Sequence, residues 1–149
     1  MTQSAIREKS FDFALGLIGL FKVLKTNHEF VISRQLLRSG TSIGANVEEA
    51  NAAQSRKDFL SKMSVALKEA RETRYWLSLL DRSQLVSVDV KPHLQGVDEL
   101  IRLLSSIVKI RRSLLPWYQG RIRCASEGVS VISDRPSLVA VSQLFTLNS

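Results

Sequence analysis

The stretch from Arg56 to Arg82 constrains the fold more than any other part of the chain. With Phe59 set at zero and about 100° per residue, Met63, Ala66, Leu67, Ala70, Thr73, Leu77 and Leu80 fall in one arc. That period is helical, and the arc is a core-facing stripe. The charges outside it are sorted by sign. Arg56, Lys57, Lys68, Arg71 and Arg74 gather on one side, and Asp58, Glu69 and Glu72 on the other, beside Val65 and Trp76. Two readings fit this sorting. One is a solvated surface with pairs such as Lys68–Glu72, each worth about 0.2–0.5 kcal/mol. The other is a subunit with one basic and one acidic flank, docking head to tail with copies of itself, with Tyr75 and Trp76 either anchoring the seam or serving as plain intramolecular core.

Three further helices are readable. The first spans about Ser4 to Lys25, with Phe11, Ala14, Leu15, Ile18, Phe21 and Leu24 near one face. Phe13, Leu17 and Leu20 carry the apolar surface further round, and a helix this apolar on several sides calls for a second partner, another subunit. Ser33 is the expected cap of a second helix ending near Ala53. The fourth runs from Pro92 to Leu115, with Val97, Leu100, Ile101, Leu104, Ile107 and Val108 in helical period and Pro92 in the tolerant first turn. The expected fold is all-α: an antiparallel up-and-down four-helix bundle over 1–115. Residues 116–149, punctuated by Gly, Ser and Pro, read as an irregular or disordered extension.

The chain has 149 residues, a net charge of +7 and a single cysteine, Cys124. A lone cysteine excludes an internal disulfide framework and fits a reducing cytoplasm. The apolar run from Phe13 to Phe21 is bounded by Asp12 and Lys22, lacks a small-x-small cleavage site and is too short to span a bilayer. The positive charge, which belongs to the helical part, favours acidic partners.

The second helix contains Gly40 and Gly44, one turn apart, among Ser39, Thr41 and Ser42. Each glycine costs a helix interior about 0.5–1 kcal/mol relative to alanine. Close approach of another helix, or a bend assisted by hydroxyls bonding the preceding turn, accounts for both. A phosphate-binding glycine loop does not, because the GxxxxGK[ST] order and a preceding strand are missing.

The ordered series Gln35-Leu36, Arg38, Ser42-Ile43, Ala45-Asn46-Val47, Glu49, Ser55 through Phe59, Ser64, Ala66-Leu67, Glu72 and Tyr75-Trp76-Leu77 resembles the bacterial four helix bundle protein family. That family includes proteins encoded in intervening sequences of 23S rRNA genes and accessory proteins of diversity-generating retroelements. The resemblance covers about residues 5–115, with 99–110 matching the last helix of the family. Gly44 stands where many relatives carry proline, and Ala50 where many carry glycine. The resemblance implies an antiparallel bundle assembled as a homopentamer, with nucleic acid (DNA, RNA or a hybrid) and a reverse transcriptase as partners. It also implies that Asn46 and Glu49 are structural, and Arg38 is a natural partner for Glu49 or Glu72, within or between chains.

No catalytic constellation is visible. His28 and His93 fall in or beside inferred loops, expected to face solvent, without carboxylate or thiolate partners at metal spacing. A di-iron bundle would need Glu-x-x-His on two helices, and none occurs. Cys124 has no evident base beside it. No cofactor or metal is expected. The leading reading is a non-enzymatic, oligomeric nucleic-acid-binding protein. Its phosphate contacts would be Lys57, Lys68, Arg71 and Arg74 on the third helix, with Lys109, Arg111 and Arg112 ending the fourth. Arg111 and Arg112 equally suit the negative end of a helix dipole. Few aromatics interleave the charges, so a base-stacking platform is not expected. The other reading is a scaffold ring docking an acidic protein. No dedicated basic amphipathic segment points to a membrane surface.

Overall fold

A computed structural model describes residues 2–126, with side chains from 4 to 111. The described elements are four α-helices: α1 (Thr2–Thr26), α2 (Val31–Asn51), α3 (Arg56–Ser83) and α4 (Lys91–Ser126). Residues 1–113 form one compact unit and 114–149 a second. Helix α4 continues through Pro116 to Ser126, where the sequence led us to expect an end at Leu115. Proline removes one backbone donor and crowds the preceding turn, which costs a helix stability without forcing it to stop. The rest of the tail, 127–149, lies outside the described residues.

In the first unit, α2 packs between α1 and α3. Helix α4 closes the square: Lys9 bonds Glu99 at 2.7 Å from the α1 side, and Arg74 bonds Asp98 at 2.6 Å from the α3 side. The core contains Ile6, Leu17, Leu20 and Leu24 of α1, Leu36, Ile43 and Val47 of α2, the α3 stripe, and Val97, Leu100 and Leu104 of α4. Burying such side chains supplies roughly 1.5–3 kcal/mol each before conformational entropy is subtracted.

The ends of the helices follow from local chemistry. Ser55, extended, caps α3 by accepting from the Asp58 N–H at 3.1 Å. Gln84 ends α3 in the left-handed region, φ 51°. Ser33, expected to cap α2, is instead buried in its first turn, with its hydroxyl donating to the Glu29 carbonyl at 2.8 Å. Capping falls to the Glu29 carboxylate, which accepts from the N–H groups of Val31, Ile32 and Ser33 at 2.7–3.0 Å. A negative group there also suits the positive end of the helix dipole.

Helix α1 turns a different face inward from the one expected. Leu17 and Leu20 are buried and Phe13 half-buried, whereas Phe11, Leu15 and Ile18 are 64%, 53% and 38% exposed. The reason lies in α2. A Cβ on Gly40 would sit 1.9 Å from Leu17 Cδ1, so the missing side chain is the space Leu17 fills. One turn on, Gly44 lies against the Ser10 backbone carbonyl, where a Cβ would make an ordinary 3.6 Å contact. Above this crossing the Ser39 and Thr73 hydroxyls, both buried, share a hydrogen bond of 3.0 Å between α2 and α3.

Candidate nucleic-acid interface

The outward face of α3 is basic. From Phe59 at zero, Lys57, Lys68, Arg71 and Arg82 lie within about 120–180°, together with Ser64 and Tyr75. The four cations and Tyr75 are exposed, and none of the cations has a carboxylate within ion-pair distance among the described residues. From Lys57 to Arg82 the row is about 37 Å long at 1.5 Å per residue.

A second row lies on α4. Lys91, Arg102 and Lys109, at spacings of eleven and eighteen residues, fall on nearly one line of that helix and are all exposed. The carboxylate of that row, Asp98, is held by Arg74 Nε at 2.6 Å. The same bond ties together the two helices that carry the rows. Asp89 finishes the local structure by accepting from the Lys91 N–H at 3.0 Å, capping α4. Arg102 also acts across the helix on Glu99, whose carboxyl is held below the ordinary carboxylate range, mainly by its hydrogen bond with Lys9.

The residues singled out in the sequence therefore divide. Lys57, Lys68, Arg71 and Lys109 stand exposed on this face. Arg74 belongs to it but is tied to Asp98. Arg111 is half-buried with its guanidinium 4.6 Å from the centre of the Phe59 ring; burial, with the neighbouring Arg56 charge, lowers its proton affinity. It is a packing cation more than a phosphate contact. The Arg112 side chain lies outside the described residues. Sequence reasoning missed Arg82, Lys91 and Arg102. The first lies one wheel-step from Arg71, and the other two share a line with Lys109.

The acidic flank of α3 faces α2 within the chain. Arg38 Nη2 lies 3.7 Å from Glu72 Oε1, and the Trp76 indole N–H donates to that same oxygen at 3.3 Å. Lys62 pairs with Glu49, and its proton is held more tightly for it. Arg7 and Glu48 form a two-bond pair between α1 and α2, at 2.9 and 3.0 Å. These are exposed pairs of small individual worth, but they join neighbouring helices of one chain, so Glu72 is not the free flank that head-to-tail docking by charge required. Asn46 bonds back to the Ser42 carbonyl at 2.8 Å and stays within α2. Trp76 is half-buried against the core, whereas Tyr75 is 57% exposed.

Several exposed apolar side chains share one face of α1. Phe11 and Ala14 border a shallow groove of about 170 Å³ whose other wall is Thr41, Gly44 and Ala45, closed at one end by the Arg7–Glu48 pair. Leu15 and Ile18 continue the strip.

Of the histidines, His28 sits in the α1–α2 turn with φ 60°. His93, expected to face solvent, is half-buried between α4 and α1, its Nε2 3.3 Å from the Gly16 carbonyl. No group of three His, Cys, Asp or Glu side chains able to hold a metal ion occurs among the described residues. None of the described helices is long and apolar enough to cross a membrane.

Comparison with known proteins fits this architecture. No curated protein matches the sequence. A crystal structure from Bacteroides thetaiotaomicron, described as a protein of unknown function from the S23 ribosomal protein family, is 45% identical with a TM-score of 0.69. The match covers 73% of this chain and 99% of that one. Residues 2–106 match the family model for 23S rRNA-intervening sequence protein. The bundle described above is thus the family's own fold, and this chain belongs to the 23S rRNA-intervening sequence protein family.

Proposed function

We propose that this protein is a non-enzymatic, self-associating nucleic-acid-binding protein of the cytoplasm that grips phosphates with the paired basic rows of α3 and α4. One observation carries the reading: Lys57, Lys68, Arg71, Arg82, Lys91, Arg102 and Lys109 share one side of the bundle, and the carboxylate among them, Asp98, is already bonded to Arg74. A surface of like charges raises the local concentration of a polyanion and binds it without regard to sequence. No helix-turn-helix or other base-reading motif is evident in the sequence, so backbone binding is the expected mode.

Self-association is supported by the α1 strip. Phe11, Leu15 and Ile18 are large, apolar and exposed together beside a groove, the kind of surface that copies of one chain cover for each other. The proposed assembly is a homopentamer, and a reverse transcriptase remains a proposed further partner.

The test is fluorescence anisotropy with labelled duplex DNA, duplex RNA, a hybrid and a single strand, first at low salt. Binding through four to six of these cations gives a log–log salt slope of roughly −3 to −5. A Lys68→Ala, Arg71→Ala double variant flattens that slope by about 1.5. If no strand binds at low salt, the phosphate-binding reading is wrong. An acidic polypeptide that then binds the same face in a Lys68- and Arg71-dependent way would establish the scaffold instead.

A further inference from the structure

Tyr75 stands out on the basic face as its exposed aromatic. It lies on the same arc as Lys68, Arg71 and Arg82, seven residues beyond the first and seven before the last. Along the helix axis that places the Tyr75 Cα about 10.5 Å from the Cα of Lys68 and of Arg82, within reach of long side chains. The ring is 57% exposed, and its hydroxyl has no hydrogen-bond partner among the described residues. A tyrosine this open contributes little to the core. It is nevertheless held: its ring meets Trp76 edge to face, with centroids 5.1 Å apart and planes at 67°. Trp76 in turn is packed against the core and bonded through its indole N–H to Glu72. An aromatic held by its neighbour, more than half exposed and flanked by cations fits one kind of nucleic acid.

We infer that Tyr75 is a stacking platform for an unpaired base, so that the α3–α4 face prefers single-stranded nucleic acid or an unpaired stretch over a perfect duplex. The inference rests on the phosphate-binding reading above and specifies its partner. A base in a duplex already has both faces stacked and offers none to a side chain. A base in a single strand has a free π-face, and every base has one, which keeps the contact tolerant of sequence. Lys68 and Arg71 on one side and Arg82 on the other then hold the phosphates that flank the stacked nucleotide. The row spans about eleven nucleotides of a stacked strand at about 3.4 Å each. This differs from the expectation drawn from the sequence, which foresaw no base-stacking platform and left Tyr75 as either a seam anchor or a core residue.

The experiment uses the full chain, a labelled non-self-complementary RNA strand of about twelve nucleotides and the same strand annealed to its complement. The variants are Tyr75→Ala, Tyr75→Phe and the Lys68→Ala, Arg71→Ala pair, with each variant's melting temperature and solution mass recorded. We expect Tyr75→Ala to weaken single-strand binding at least about fivefold, the low end for one base stacked on one aromatic, with duplex binding changed less than about twofold. Tyr75→Phe keeps the π-face and binds the single strand as the parent does. If Tyr75→Ala binds both forms like the parent while the lysine–arginine pair weakens both, the stacking inference falls and phosphate binding stands. If Tyr75→Ala lowers the solution mass, the ring belongs to a contact between copies and the inference is overturned. If the parent binds neither form, both readings fall together.

Discussion

Gly40 and Gly44 are one helical turn apart on α2, yet replacing each by alanine should move stability in opposite directions. In isolation either substitution favours the helix by about 0.5–1 kcal/mol. At Gly44 that gain is kept, because the new Cβ would meet the Ser10 carbonyl at 3.6 Å, an ordinary contact. At Gly40 the Cβ would fall 1.9 Å from Leu17 Cδ1, with Leu17 Cγ at 3.4 Å and Thr73 Cγ2 at 3.7 Å. Leu17 has nowhere easy to go, being fully buried. Overpacking of this kind costs about 1–3 kcal/mol, so Gly40→Ala should lose about 1–2 kcal/mol net. In a unit of this size, 1 kcal/mol shifts the melting temperature by roughly 4–8 °C. Gly44→Ala should therefore melt a few degrees above the parent and Gly40→Ala several degrees below it. Far-UV circular dichroism at matched protein concentration reads both, since any self-association would make melting concentration-dependent. A second comparison isolates the cause: Leu17→Ala, worth about 2–5 kcal/mol alone, should cost clearly less in the Gly40→Ala background. A Gly40→Ala protein as stable as Gly44→Ala would refute the close-approach argument.

Three other outcomes follow from the same packing. Thr73→Val strips the Ser39 hydroxyl of its 3.0 Å partner and leaves it a 3.4 Å contact with the Leu36 carbonyl, so it should cost about 1 kcal/mol. Ser39→Ala should cost less, because Thr73 keeps its 2.8 Å bond to the Glu69 carbonyl; urea unfolding ranks the two. The Glu99 carboxyl is held below its ordinary range, so its contribution to stability is present above the unfolded-state value and lost as pH falls through the folded-state one. The melting difference between parent and Glu99→Gln should accordingly be visible at neutral pH and close in acid; a difference that grew in acid would contradict the Lys9 pairing. Leu15→Glu places a charge in the exposed α1 strip and should lower the solution mass by light scattering while leaving helix content unchanged; an unchanged mass would remove the strip from any contact between copies.

How much of this was legible in the sequence varied with the helix. In α3 the polar and apolar residues separate cleanly, so Met63, Ala66, Ala70, Thr73 and Leu77 could be placed in the core from their spacing, and all are buried. In α1 the apolar residues go most of the way round, and a wheel has no means of choosing between Leu17 and Leu15. The choice is made by α2, where the one vacancy deep enough for a leucine is Gly40. The signal was present, in a glycine whose cost demanded a neighbour, but it identified the need for a neighbour without saying which one. The α2 cap is not legible as a short hydroxyl side chain, because Glu29 reaches three N–H groups from outside the helix. On the candidate interface, Lys57, Lys68 and Arg71 followed from α3 alone. Lys91 and Arg102 do not stand out in a helix whose pattern is dominated by its core period, and the joining of the two rows depends on a tertiary bond, Arg74–Asp98.

The square order of the helices puts the open apolar strip and the cations on opposite sides of the bundle: one on α1 and α2, the other on α3 and α4. Occupying the first does not obstruct the second. An assembly sealed through α1 would repeat its cationic sides at fixed separations, and one strand long enough to touch several would meet each successive side at a high effective concentration. Modest grip per copy then becomes firm retention by the whole, and the length of the polyanion, more than its sequence, sets how tightly it is held.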